Sequence, residues 1–471
     1  MVIASLADSV LRRVEAVGDT VSEALFEPVI RLGVTGLARS GKTVFISSLV
    51  ANLMDRGRMP GLAAARDGRI EAAFLQPQPD DTVPRFDYEA HLAALTGSKP
   101  HWPDSTRAVS ELRLSLRVRP AGLLAGLQGP RTIHLDIVDY PGEWLLDLGL
   151  LDQTYDQWAG DLLALIDKRD FAQRFMERAR AADPTAPHDE PLAQDLAQRF
   201  TDYLRTARKH GFSDCTPGRF LLPGDLAGSP VLTFAPIPVA EPSRRHSLHR
   251  EMERRFEAYK AQVVKPFFRE HFAKIDRQVV LTDVLGAIHG GPAAVEDMRR
   301  AMAATMGAFR PGRNAFLTRL LSGKRVERIL FAATKADHLH HDQHDRMTAI
   351  MEALTRDARD RAQFAGAQTR ALAIAALRAT TEEIRQHDGR DLGCVRGRLL
   401  ETGEEKVFYP GRLPEDPTAI LSPAREGADT WLDGDFGVMS FAPAPLSLRA
   451  GDGPPHIRLD TAAQFLIGDR L

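Results

Sequence analysis

The spacing of apolar residues divides the chain into stretches of different period. Leu6, Val10, Val14, Val17, Val21 and Leu25 recur every three or four positions, which predicts an amphipathic helix within an N-terminal segment, 1–30. Residues 32–35 read as a short strand, and Phe45, Ile46, Leu49, Val50 and Leu53 mark the helix that follows it. From 57 to 107 periodicity fades and Pro and Gly recur, which predicts a long irregular connection. Leu112, Leu114, Leu116 and Val118 alternate with polar residues across 111–119, a strand with one buried face, and 132–138 reads as the next strand. Helical spacing dominates 152–275, through 162–176, through Leu192, Leu196, Phe200 and Leu204, and through a long charged helix with Ser243 placed to cap it. Continuous apolar runs at 278–283, 327–333 and 371–376 predict strands buried on both faces, the last followed by a loop and a helix-like segment. Beyond about 390 the chain turns to short β-prone pieces, including 436–441, and closes on an amphipathic stretch, 462–471.

Composition narrows this picture only a little. A length of 471 residues admits several domains, or one domain with large insertions, and 44% hydrophobic with 26% charged residues is ordinary for a globular protein. The 61 basic and 63 acidic side chains leave a formal net charge of -2, which argues against a nucleic-acid partner at the level of the whole chain. The basic run Arg244, Arg245, His246, His249, Arg250 is interleaved with Glu251, Glu253 and Glu257, the pattern of a solvated helix face. Cys215 and Cys394 are the only cysteines, far apart, so neither a disulfide framework nor a zinc module is expected, and a reducing cytoplasm fits. No secretory leader pattern and no run of transmembrane length is read from the sequence.

Chemistry enters at the first strand. Gly36, Gly41, Lys42 and Thr43 fit G-x-x-x-x-G-K-[ST] between a strand and a helix. The glycines allow backbone N–H groups to converge on phosphate, with Ala38, Arg39, Ser40 and Val44 presenting N–H groups along the same path. Lys42 supplies a point charge for the β- and γ-phosphates, Thr43 a hydroxyl for Mg²⁺, and the helix start adds its dipole. Asp139-Tyr140-Pro141-Gly142 then closes the 132–138 strand: Asp139 can hold Mg²⁺, and Gly142 can offer its N–H to a γ-phosphate and pivot when that group leaves.

Thr334-Lys335-Ala336-Asp337, at the end of another strand, resembles the [NT]-K-x-D guanine motif of the GTPase branch of phosphate-loop proteins. A carboxylate at Asp337 matches the N1–H and amino group of guanine, whereas adenine would leave it facing an acceptor. The resemblance implies that the Lys335 stem lies along the base, and that Ala376 and Leu377 occupy the place of the family's S-A-[KL] loop, without its Ser. GLARSGKT, DYPG, TKAD and AAL follow the family's order. Together with DYPGEW, VLTDVLGAIHGG and ATKADH they make the chain similar to the YcjX family of bacterial GTPases over most of its length.

That resemblance implies a three-layer α/β phosphate-loop NTPase core of the G-domain kind with a mainly parallel sheet. The core is expected at 31–151 and 276–388, with a helical insertion at 152–275 and a β-prone C-terminal region at 389–471. It further implies GTP/GDP and Mg²⁺ as ligands, a stress-associated cytoplasmic protein, peripheral at the inner membrane in one reading, and a membrane-protein or stress-system partner. By position, Thr106 corresponds to the switch threonine that closes over Mg²⁺, with Thr82 as the alternative and a capping Ser-Thr turn as the ordinary reading. Arg39 and Arg107 lie near enough in sequence to serve as a transition-state cation.

Glu143 stands where many GTPases carry a water-orienting Gln. A carboxylate there can orient water but is repelled by the phosphates, so slow or partner-dependent hydrolysis is expected, with Lys42, Thr106 and Glu143 as the catalytic set. Two rivals remain: an ATPase with an accidental TKAD, and a nucleotide-gated scaffold in which hydrolysis is incidental. The run from Asp337 to Asp345, rich in His, has spacings that could hold a metal; Asp337 is claimed by the base, and the other residues read as the polar start of a helix.

Overall fold

The computed structural model describes residues 27–37, 39–104, 108–121, 129–210, 212, 215–238, 245–307, 326–428, 430–431 and 437–471. The helix expected within 1–30, Ala38, Thr106, Arg107 and Ser243 lie outside them. Strand β1 (Val29–Gly36) leads through the glycine loop into α1 (Lys42–Met54). Next come β2 (Ile70–Gln76), a helix at Tyr88–Thr96, β3 (Ser110–Val118) and β4 (Arg131–Asp139), which ends in the short helix α2 (Gly142–Leu146). The insertion holds helices Tyr155–Ile166, Gln173–Ala181, α3 (Glu190–Lys209) and α4 (Leu248–Tyr259). After it come β5 (Arg277–Thr282), α5 (Val284–His289), a helix at Pro292–Gly307, β6 (Arg328–Ala333), helices at His344–Leu354 and Arg356–Phe364, and β7 (Gln368–Ala373). A small antiparallel sheet, β8 (Thr381–His387), β9 (Arg390–Arg398) and β10 (Glu405–Phe408), precedes α6 (Leu459–Ile467).

The main sheet runs β2-β3-β4-β1-β5-β6-β7. From β4 to β7 every pairing is parallel, while β2 and β3 are added antiparallel at one edge. The two-residue period of a strand sends alternate side chains to opposite layers. Leu330 and Ala332 of β6 face the same layer as Ile30, Leu32 and Val34 of β1, with α1 and α6, whereas Ile329, Phe331 and Ala333 face α5 and the 344–354 helix. This is a three-layer α/β sandwich with helices on both faces, as expected. The helices of 152–275 pack a core in which Trp158 stacks on Phe256 with ring centroids 5.0 Å apart, among Phe200, Phe234 and Tyr155, and which runs on to Val138 and Tyr140 at the end of β4.

Several local expectations change. The 57–107 stretch is not irregular throughout: it contains β2 and two helices. β2 lies on the sheet edge and buries only Ile70 fully, so it lacks the clean alternation of a half-buried strand. The segment after 371–376 is the exposed strand β8 rather than a helix, and β7 itself spans Gln368–Ala373. Residues 437–440 form no strand, and Phe441 makes a single bridge to Leu399. Residues 162–176 divide between two helices, and Ser247 caps α4 by accepting the Arg250 N–H at 3.3 Å. Helix α6 packs into the core beneath the main sheet, through Leu459, Ala462, Ala463, Leu466 and Ile467. Among the described residues no helix is long and apolar enough to cross a membrane.

Candidate functional site

Parallel strands in register bring their carboxyl ends to one edge. Val34 pairs with Asp139, Gly36 with Leu281, Thr282 with Ala333 and Ala333 with Ala373, so the loops after β1, β4, β5, β6 and β7 open on the same side. Ligands bind at that edge in open α/β sheets.

The loop after β1 is built for an anion. Arg39 (φ 61°) and Gly41 (φ 78°) both take the left-handed conformation, which turns successive N–H groups inward. Helix α1 begins at Lys42 with Gly41 as its N-cap and no side-chain cap, so the positive end of its dipole faces this loop. Ser40 is buried, its hydroxyl finds no hydrogen-bond partner among the described residues, and a β-carbon on Gly36 would stand 2.1 Å from it. A β-carbon on Gly142 would stand 2.1 Å from the carbonyl oxygen of Gly36, so the loops after β1 and β4 touch backbone to backbone. Thr43 and Asp139 are both buried at this edge, Lys42 is half-buried and Arg39 exposed; Val44 lies in the first turn of α1.

The guanine motif is equally shaped by backbone. Lys335 is a non-glycine residue at φ 62°, and its ammonium pairs with Asp283, which also caps α5 through the Gly286 N–H at 2.9 Å. Asp337 is 4% exposed. Its Oδ2 accepts the Ala379 N–H at 2.8 Å, and the Thr380 hydroxyl donates to its carbonyl, so the start of the small sheet clasps it. The loop with Ala376 and Leu377 is backed by the C-terminal segment: Ala375 and Ile457 exchange N–H···O bonds of 3.1 and 2.8 Å.

After Gly142 the chain sinks into the insertion. Glu143 is buried and ion-paired with Arg208 of α3 at 2.9 Å, without the alignment of a hydrogen bond. The Arg219 guanidinium lies 3.3 Å over the Trp144 ring, and Phe267 meets the same ring edge-on at 5.5 Å. Asp147 accepts the Gly218 N–H at 2.8 Å and the Tyr259 hydroxyl at 2.5 Å, and burial pushes its carboxyl up to about 7. Beside the phosphate loop a cavity of about 440 Å³ is bordered by Leu37, Arg39, Arg205, Arg208, Lys209 and His210. Thr82 is exposed, with its hydroxyl and N–H both donating to Asp80 Oδ1.

Sequence reasoning missed Asp283, Arg208 and the Ala379–Thr380 clasp. Asp283 carried a signal, since it ends a buried strand at the same edge; Arg208 and the clasp carried none, since they are set by contacts 65 and about 42 residues away in the chain.

A mainly parallel sheet with a glycine loop leading into a helix at its carboxyl edge and a second acidic loop beside it is the architecture of a phosphate-loop NTPase. The chain belongs to the YcjX-like family, DUF463, which matches residues 30–471. It is 39% identical over 457 residues to the protein named Ras-like GTPase YcjX of Escherichia coli K12, covering 94% of this chain and 96% of that protein. It is 36% identical over 472 residues to the protein of the same name from Shewanella oneidensis MR-1, covering 94% of each.

Proposed function

We propose that this chain binds guanine nucleotide with Mg²⁺, hydrolyses GTP slowly, and uses the γ-phosphate to set the position of its helical insertion. The observation that carries the nucleotide assignment is the buried carboxylate of Asp337, held at the edge shared with Lys42 and Asp139. The relatives' name, Ras-like GTPase, supports it.

In this reading the N–H groups from Gly36 to Val44, through Ala38, Arg39, Ser40, Gly41, Lys42 and Thr43, cradle the phosphates, and the Lys42 ammonium takes the terminal ones. The hydroxyl of Thr43 and the carboxylate of Asp139 are hard oxygen donors, each buried at the same sheet edge, which suits Mg²⁺, with Thr106 as the proposed third ligand. Bound there, the ion would neutralise charge on the β- and γ-phosphates. Asp337 accepts from the base, Lys335 lines it, and the Ala376–Leu377 loop takes the guanine oxygen.

Gly142 has no room to move toward Gly36, so an N–H bond from Gly142 to a γ-phosphate displaces the following segment instead. That segment is gripped by the insertion at Glu143, Trp144 and Asp147, which favours a switch whose output is the insertion. With Glu143 paired to Arg208, its carboxylate is not committed to orienting water, which supports slow turnover.

Titration calorimetry with GTP, GDP, ATP and ADP tests the assignment. Guanine nucleotides are expected to bind at least 10-fold more tightly, and Asp337→Asn to erase most of that preference, a loss of about 10–100-fold. ATP bound as tightly as GTP would overturn the reading. Fast single-turnover hydrolysis by the isolated chain would overturn the slow-switch part alone.

A further inference from the structure

The loop after the guanine motif carries His340 and His341, and tertiary structure brings Glu382 of β8 against them. One nitrogen from each histidine and one carboxylate oxygen lie within 4.8 Å of one another. His341 Nδ1 is 2.5 Å and His340 Nε2 is 3.9 Å from Glu382 Oε2. In a tetrahedral zinc site with bonds near 2.0–2.1 Å, donor atoms stand about 3.4 Å apart, so these spacings straddle the ideal and small side-chain rotations reach it.

The surroundings are arranged as around a metal ligand. His340 Nδ1 lies 3.0 Å from Asp342 Oδ1; a carboxylate only accepts, so the proton sits on Nδ1 and the Nε2 lone pair faces Glu382. That is the carboxylate–histidine arrangement which fixes the tautomer of metal-bound imidazoles. Glu382 Oε1 takes Arg378 at 3.3 Å, while Oε2 accepts from His341 Nδ1, whose proton an incoming ion would displace. His340 is 8% exposed, and its ring lies so close to Gly393 that a β-carbon there would stand 2.8 Å from its Cγ, so it is held in place before any ion arrives. His341 is exposed and supplies the entry side.

We propose that His340, His341 and Glu382 form a binding site for a divalent transition-metal ion of the zinc type, with water in the fourth position. Two imidazoles and a carboxylate suit zinc, cobalt or nickel over Mg²⁺. The site is separate from the Thr43–Asp139 pair, and it closes a ring around the guanine clasp. His340 follows Asp337 by three residues, and Glu382 follows the Ala379 and Thr380 contacts to Asp337 by two or three. An ion here ties the two halves of that clasp together.

The test uses the full chain without a histidine tag, with GDP and millimolar Mg²⁺ present, titrated with Co²⁺ and followed by its visible absorption. Saturable uptake of about one Co²⁺ per chain with intense tetrahedral or five-coordinate bands is expected, displaced by equimolar Zn²⁺. His341→Ala and Glu382→Gln, both with unchanged far-UV circular dichroism, should lose it, and Asp342→Asn should weaken it about 10–100-fold. No saturable uptake, or uptake unchanged in both His341→Ala and Glu382→Gln, overturns the site. Neither result depends on which nucleotide the chain prefers.

Discussion

At the scale of single residues, steric fit and burial make the sharpest demands. Gly142→Ala would drive a methyl group to 2.1 Å from the Gly36 carbonyl, so the two loops must part. The expected outcome is a loss of nucleotide affinity of 10-fold or more, read by calorimetry, with the melting temperature changed far less. Glu111 shows what burial does to a charge. It is 7% exposed, pairs with Val138 two residues along β4 from Asp136 and borders a cavity of about 200 Å³, and its carboxyl is pushed up to about 7, chiefly by desolvation and then by the charge of Asp136. Against an ordinary value of 4.5, the folded state therefore holds the extra proton between about pH 4.5 and 7. Stability falls as pH rises through that window, and Asp147 adds in the same direction. Glu111→Gln removes one contribution: denaturant melts should match wild type at pH 4.5 and show a gain of about 1–2 kcal/mol at pH 8, the cavity's solvent trimming the full shift.

At the scale of elements, the contacts of α2, α3 and α6 decide behaviour. α6 closes the sheet's lower layer: Leu466 is fully buried, and its carbonyl accepts from Arg277, itself 1% exposed. Leu466→Ala should cost about 2–4 kcal/mol in a urea melt, the range for a large cavity in a packed core. The amphipathic period of 462–471 was legible in sequence; that it serves the core of residues 29–374 was not, because periodicity shows that a helix has a buried face without showing what buries it. The same holds for the clasp on Asp337. TKAD could be read from the residues alone, while Ala379 and Thr380 carry no motif and act through a backbone N–H and a hydroxyl. β2 stayed illegible for a different reason, since an edge strand half-covered on both faces has no clean period.

At the scale of the whole molecule, the proposed switch would reach the insertion through the segment after Gly142, which Glu143, Trp144 and Asp147 tie to it. Comparing hydrogen exchange with GDP and with a non-hydrolysable GTP analogue should show altered protection in α3 and α4. Arg208→Ala should shrink that difference by half or more while leaving GDP affinity within about 3-fold, since Arg208 touches Glu143 and the basic cavity wall rather than the base. Unchanged exchange between the two states would remove the insertion as the output of the switch.

By itself the sequence determined the order of the phosphate, acidic and guanine motifs and the alternation of strand and helix that carries them. Each is a local pattern, and parallel strands must end on one edge, so their meeting followed from order alone. Only the tertiary structure decided that Glu143 turns to Arg208, that Asp283 holds Lys335, that α6 belongs beneath the sheet, and that Glu382 meets His340 and His341. Those are contacts across tens or hundreds of residues, settled by which buried charges and apolar faces find partners once the chain is compact. No spacing along the chain encodes that choice.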